Sequence, residues 1–212
     1  MSSGAAPGPT GMGQVLASIT TSIDGYVTGP DDGPQAGLGI GGERLHNWVF
    51  GGPWSHDTEH VPGQDMGPVD REFMATFTAD VGAGICGRWM YEAAGHWGGS
   101  NPFGGTLVVL THRPEEAPDA STGFVFVDGF DAALATAREA AGDKSVAISG
   151  GADTIRQALR AGVVDVLSIS TAPVILGAGK RLFEGFDEDI DLEIDRVFAS
   201  PLVTHTIYRV LA

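Results

Sequence analysis

The stretch from Ser145 to Thr171, SVAISGGADTIRQALRAGVVDVLSIST, constrains the fold more than any other part of the chain. It reads as a short apolar strand (Ser145 to Ser149), a Gly150-Gly151 turn, an amphipathic helix (Ala152 to Ala161) and a second strand (Val163 to Thr171). A helix between two strands is the signature of a parallel pair within an α/β domain. Glycines between a strand and a helix start let the backbone approach a ligand. The helix start offers unpaired N–H groups and a positive dipole end, which suits a phosphate. Taken alone, the turn fits a tight, ligand-free connection equally well. It also lacks the three spaced glycines, and the acid about 20 positions on, of the dinucleotide fingerprint.

The rest of the middle repeats this alternation. Strands are expected at Gln14 to Thr21, Val81 to Cys86, Thr106 to Leu110 and Phe124 to Val127. Helices are expected at Val69 to Thr78, Arg88 to Ala94 and Phe130 to Ala141, with a short one over Glu43 to Val49. Thr28 to Gly42 and Phe50 to Gly67 read as long glycine-rich loops, a length that marks functional or mobile segments. Leu192 to Ala199 and Val203 to Leu211 have no helix between them, which predicts a C-terminal antiparallel pair on a mixed, mostly parallel sheet. Residues 1 to 13 read as a disordered lead-in and residues 14 to 212 as one domain.

Composition narrows the partners. The 212 residues carry 27 Asp and Glu against 12 Lys and Arg, a formal charge of −15. So acidic a surface repels nucleic acid and anionic membrane, and any anionic ligand needs a local basic island. Arg88, Arg113, Lys180 and Arg181 are the candidates. No apolar run is long enough to span a membrane. Cys86, the only cysteine, lies in an apolar run and reads as a core residue; it excludes a disulfide and a cysteine-based metal cluster, and points to the cytoplasm.

Three strands end in polar or glycine-rich turns: at Gly87-Arg88, at Thr111-His112-Arg113-Pro114 and at Gly150-Gly151. Ligands of open α/β sheets sit beyond the carboxyl ends of the strands, so parallel strands would gather these turns on one rim. Arg88 can grip a phosphate in two prongs or simply pair with Glu92 four positions on. The hydroxyl, imidazole and guanidinium of Thr111, His112 and Arg113 suit an isolated phosphate monoester, which NADPH has and NADH lacks.

These residues together resemble the dihydrofolate reductase fold family, and more closely the reductase domain of bacterial riboflavin-biosynthesis deaminase-reductases and their stand-alone relatives. The matching stretches are Ser18 to Tyr26 (SITTSIDGY), Gly87 to Glu92 (GRWMYE), Thr111 to Pro114 (THRP), Ser149 to Ala152 (SGGA), Leu159 to Asp165 (LRAGVVD) and Pro173 to Phe183 (PVILGAGKRLF), in family order from about Val15 to the C-terminus.

The resemblance implies a mixed sheet of about eight strands with helices on both faces. It implies NADPH as cofactor, with the pyrophosphate at Gly150, Gly151, Ala152, Asp153 and Thr154. Gly87, Arg88 and Met90 form a second contact. Thr111, His112 and Arg113 read the 2′-phosphate. The nicotinamide falls near Ala17, Gly25 and Val27, and near Leu176 and Gly177. A small heterocyclic or carbonyl substrate would meet Asp24, Trp48, Lys180 and Phe183, with His46 and Trp54 as further lining candidates. Asp24 is the candidate catalytic carboxylate; plain turn chemistry with Gly25 is the other reading. Asp70 and Glu72 are the candidates for the pterin-facing acid of true dihydrofolate reductases. Fused family members carry a zinc deaminase with a cysteine-rich signature; with Cys86 alone, that activity is not expected, and no metal is. The expected activity is that of a 5-amino-6-(5-phosphoribosylamino)uracil reductase-like enzyme. A dihydropteridine-type reductase and an NADPH-binding protein without turnover are the alternatives. The late strands, apolar on one face near a sheet edge, and the habit of related proteins suggest a homodimer.

Overall fold

The structure, a computed structural model, describes residues 13–55 and 61–211. Of the expected N-terminal lead-in only Gly13 falls among them. In chain order the elements are β1 (Val15–Ser22), β2 (Tyr26–Thr28), α1 (Asn47–Phe50), α2 (Pro68–Thr78), β3 (Val81–Gly87), α3 (Arg88–Ala93), β4 (Thr106–Leu110), β5 (Phe124–Val127), α4 (Phe130–Ala141), β6 (Ser145–Ile148), α5 (Ala152–Arg160), β7 (Val166–Ala172), β8 (Lys180–Arg181), β9 (Leu192–Ser200) and β10 (Val203–Val210). Eight strands form one sheet in the order β5-β4-β3-β6-β1-β7-β10-β9. β5 through β7 are mutually parallel; β10 runs antiparallel to β7, and β9 antiparallel to β10. This is the expected dihydrofolate reductase-like architecture, with its C-terminal antiparallel pair.

Alternation along the central strands sends side chains to two cores. Val15, Ala17, Ile85, Val108, Ile148 and Leu167 pack under α4 and α5. Their neighbours point the other way: Leu16 meets Trp48, Phe73 and Phe77, while Cys86, Leu107 and Val109 meet Tyr91, Phe124 and Phe126. α5 seats itself through Ile155, Ala158 and Leu159, all 5% exposed or less, at the spacing of one helical stripe. Burying one such large aliphatic side chain is worth about 1.5–3 kcal/mol. Cys86 is wholly buried, and burial pushes its thiol up to about 12, as its core reading requires.

Two expectations differ from the structure, and one strand pair was not expected. The strand expected from Val163 begins at Val166, because Gly162 and Val163 still close the end of α5: the Val163 amide donates to the Ala158 carbonyl at 3.3 Å. The short helix expected over Glu43 to Val49 is a 3-10 turn (Gly42–His46) running into the one-turn α1. β2 and β8, which pair antiparallel, had no sequence signal, since two or three residues carry no readable period.

A buried polar chain runs through the α2 side of the sheet. His205 on β10 and Ser170 on β7 are direct cross-strand partners. His205 Nδ1 lies 2.7 Å from the Ser170 hydroxyl, and Nε2 lies 3.2 Å from Asp70 Oδ1. The imidazole stacks on Phe73 with ring centroids 3.8 Å apart. Burial holds the His205 imidazole below its usual range, against the pull of Asp70. No helix among the described residues is long and apolar enough to cross a membrane.

Candidate functional site

The carboxyl ends of β3, β4 and β6 open on one cleft of about 650 Å³. Its walls include Gly87 and Arg88, Thr111 to Arg113, and Gly151 to Thr154, so the three turns singled out in the sequence do share a rim. Two glycines make the junction possible. The Gly87 amide donates to the Gly150 carbonyl at 2.9 Å, and a Cβ on Gly87 would lie 2.8 Å from the Thr154 hydroxyl, so the β3 turn can lie against the start of α5 only without a side chain. A Cβ on Gly151, by contrast, meets nothing within 4 Å and would occupy the cleft. The Gly150–Gly151 peptide is cis. No side chain caps α5, whose N-cap is Gly151, so its first amides remain available to an anion at the cleft floor.

The basic island is real. Arg88, Arg113, Arg156, Lys180 and Arg181 all line this cleft, five of the chain's 12 basic residues. Arg88 Nε donates to Glu92 at 2.6 Å and its Nη2 to Glu116 at 2.7 Å, while Nη1 is buried with no hydrogen-bond partner among the described residues. Contacts to the two glutamates outweigh burial and raise the Arg88 guanidinium further. The Arg88 hydrogen bond and the charges of both arginines hold Glu116 below the usual carboxylate range. Arg113 reaches the same glutamates at 3.2 and 3.4 Å and remains half-exposed. Thr111 is buried and its hydroxyl accepts from the Arg113 amide at 3.1 Å, which fixes the turn. His112 is almost fully exposed, with Nδ1 2.8 Å from Asp128. The rim thus holds one guanidinium fixed between two glutamates and a second, half-exposed one whose contacts are long enough to exchange.

At the other end, Lys180 lines the same cleft, while Phe183, 44% exposed, flanks an adjoining hollow with Asp24, Gly25, Arg181 and Glu184. Asp24 accepts from the amides of Leu176 at 3.1 Å and Gly177 at 2.8 Å. The Ser22 hydroxyl, together with these amides, lowers its carboxyl to about 2. Asp24 therefore ties the β1–β2 turn to the loop before β8 and stays ionised.

Several expected site residues lie elsewhere. Ala17 is wholly buried in the α4–α5 core, since its position on β1 points away from the rim. Met90 and Gly150 do not line the cleft: the Met90 sulfur packs where a Gly150 Cβ would be, 3.3 Å away. Leu176 and Gly177 are likewise outside it, held by Asp24. Trp48 is 6% exposed, donates to the Thr20 hydroxyl at 3.3 Å and packs edge-on against His205 at 4.7 Å, so it is a core residue. His46 and Trp54 stack on each other at 6.3 Å, away from the cleft. Of the pterin-acid candidates, Asp70 belongs to the buried chain and Glu72 is exposed. Lining residues not foreseen include Asp32, Trp89, Arg156 and Gln157. Arg156 could have been found, because one helical turn from Asp153 puts it on the same side of α5; it donates to the carbonyls of Arg181 and Leu182.

An uncapped helix start thus stands beside a two-arginine rim at the strand ends of an α/β sheet. The chain belongs to the RibD C-terminal domain family, whose model matches residues 14–201. Solved structures share the fold. A protein assigned to riboflavin biosynthesis in Shewanella sp. PV-4 superposes with a TM-score of 0.68 at 19% identity, covering 94% of this chain and 99% of that one. A deaminase/5-amino-6-(5-phosphoribosylamino)uracil reductase from Thermotoga maritima gives 0.60 at 15% identity, over 94% of this chain and 57% of that one. Dihydrofolate reductase from Enterococcus faecalis, in complex with NADP(H) and RAB-propyl, gives 0.56 at 16% identity, over 95% and 99%. No curated protein matches the chain by sequence.

Proposed function

We propose that the chain is an NADPH-dependent reductase of the riboflavin-biosynthesis type, reducing a small heterocyclic or carbonyl compound. The observation that carries this reading is the convergence of Gly87-Arg88, Thr111–Arg113 and Gly151–Thr154 on one cleft. The cleft fits the cofactor: open room over Gly151, free amides at the α5 start and the half-exposed Arg113 guanidinium match a dinucleotide's phosphates. Family membership and a dihydrofolate reductase neighbour in complex with NADP(H) support the same cofactor.

NADPH supplies the hydride when bound. The amides of Gly151 to Thr154 would hold the pyrophosphate. Arg88, held between Glu92 and Glu116, and Arg113 would take the 2′-phosphate, with the Thr111 turn aiming Arg113. Asp24 acts by fixing the Leu176–Gly177 backbone, and Lys180 and Phe183 border the substrate end. The ionised, doubly bonded Asp24 also favours a second reading, an NADPH-binding protein without turnover, because it removes the nearest proton source. The deciding experiment follows NADPH absorbance with 5-amino-6-(5-phosphoribosylamino)uracil, with dihydrofolate and with neither. Oxidation with the first supports the proposal and with the second a dihydropteridine-type reductase. NADPH binding with no oxidation by either supports the binding protein. Failure to bind NADPH defeats all three.

The protein is further proposed to be a cytoplasmic homodimer pairing through β9. Leu192, Ile194 and Val197 are 39%, 61% and 55% exposed on this edge strand. Light scattering checks the dimer; a monomeric mass refutes it.

A further inference from the structure

The glycine-rich segment after β2 enters the cleft through one residue. Asp32 lies on this loop, yet its side chain is only 7% exposed. Its Oδ2 accepts from Trp89 Nε1 at 2.7 Å and from Lys180 Nζ at 2.7 Å. The Lys180 ammonium also lies 4.1 Å from the centroid of the Trp89 ring, and a Cβ on Gly33 would stand 3.7 Å from that ring. Trp89 is thus packed by the loop and by Lys180, and its indole N–H is committed. All of Asp32, Trp89 and Lys180 line the cleft.

Topology says what this bridge crosses. Trp89 follows β3, Asp32 follows β1 and β2, and Lys180 follows β7, while the sheet order there is β3-β6-β1-β7. The turn at the end of β6, Gly150-Gly151 with the start of α5, therefore lies between the anchors. We infer that Asp32 is a positioning residue whose carboxylate straps the loop of residues 29–42 across the cleft, over the α5 start, and retards the exit of a nucleotide held there. The inference rests on the NADPH reading of the cleft for the identity of that nucleotide, but not for the strap itself.

The loop is folded back on itself: the Gly29 amide donates to the Leu38 carbonyl and the Ile40 amide to the Pro30 carbonyl, both at 2.8 Å, and Asp32 ties it to the far wall. The charges also couple. A bare carboxylate in a cleft that takes an anion would repel it, whereas one neutralised by Lys180 does not. The strapped form is therefore the form an anionic ligand tolerates, and by linkage ligand and strap favour each other.

The test uses the full chain with Asp32→Ala and Trp89→Phe, the second keeping the ring and removing the N–H. In the ligand-free protein, hydrogen exchange of the amides at 29–42 is expected to quicken in both variants while exchange in β3, β6 and β7 holds. Loop exchange unchanged in both overturns the strap. NADPH is then preloaded and chased, and its release is expected to be roughly tenfold faster in each variant, the scale of one charge-assisted hydrogen bond lost. Release at the wild-type rate, from variants that bind NADPH, overturns the retarding role. A wild-type protein that binds no NADPH overturns the cofactor reading, and the exchange comparison then decides the strap by itself. A variant that fails to fold is recognised by loss of protection throughout the sheet, and the other variant decides.

Discussion

The cleft rim and the buried chain under β7 and β10 use the same residue types to opposite ends. At the rim, Arg88 and Arg113 share Glu92 and Glu116, and Arg113 is half-exposed with ion pairs of 3.2 and 3.4 Å. Under the sheet, His205 spends both ring nitrogens on Ser170 and Asp70, and its two faces are walled by Phe73 and Trp48. A polar group with unused capacity facing solvent is available to a ligand; a polar group closed by its neighbours serves the fold. The residue type does not distinguish the two. Solvent exposure does, since Arg88 Nη1 at the rim and Asp70 Oδ2 in the buried chain both lack a partner among the described residues.

The sharpest way to break this contrast is His205→Ala. It opens a cavity against Phe73 and leaves Asp70, whose Oδ2 already has no partner among the described residues, without its remaining hydrogen bond. The expected loss is about 3–5 kcal/mol of unfolding free energy, the range for stripping one member from a buried hydrogen-bonded pair. Urea unfolding measures it. NADPH affinity of the folded fraction should not change, and a parallel fall in affinity would mean that the two regions are one site.

Arg113→Ala is the converse. Its contacts are exposed ion pairs at 3.2 and 3.4 Å, so the unfolding free energy should move by less than about 1 kcal/mol. Preference for NADPH over NADH should fall by about 1.5–3 kcal/mol, the worth of a hydrogen bond to a charged group. Titration of both cofactors into wild type and variant reads this directly. Equal affinity of the wild type for the two would end the assignment of this end of the cleft to the 2′-phosphate.

The same contrast explains what could be read from the chain alone. The three turns were legible because each is local: a strand, a glycine and a helix start lie within a few residues, and parallel strands bring such ends together. Helical and strand periods also gave most of the sheet. Asp70 and His205 are 135 positions apart, and nothing short in the sequence pairs them. Trp48 was expected at a pocket wall because aromatic side chains serve there; whether one faces a cleft or a core depends on a loop path that glycine-rich stretches do not encode. Asp32 was missed for the same reason, while Ala17 was misplaced by which face of β1 looks at the rim.

Acid titration gives the smallest effects and separates the two regions by pH. His205 is held below its ordinary 6.5 in the folded state by burial, so the unfolded chain takes up the proton first and stability declines as pH falls below 6.5. Asp24 is lowered from 3.8 to about 2, so its contribution is complete above 3.8 and is lost between there and about 2. Thermal midpoints measured from pH 8 to 2 should therefore show a first decline tied to the core and a later one tied to the substrate end. Asp24→Asn removes the titrating charge, so the later decline should flatten while the first is unchanged. A positioning carboxylate predicts that this variant, at neutral pH, raises KM more than it lowers kcat, because the Leu176–Gly177 loop is loosened and no proton donor is lost. Loss of kcat with KM and the acid profile both intact would instead put Asp24 in contact with the reacting atoms.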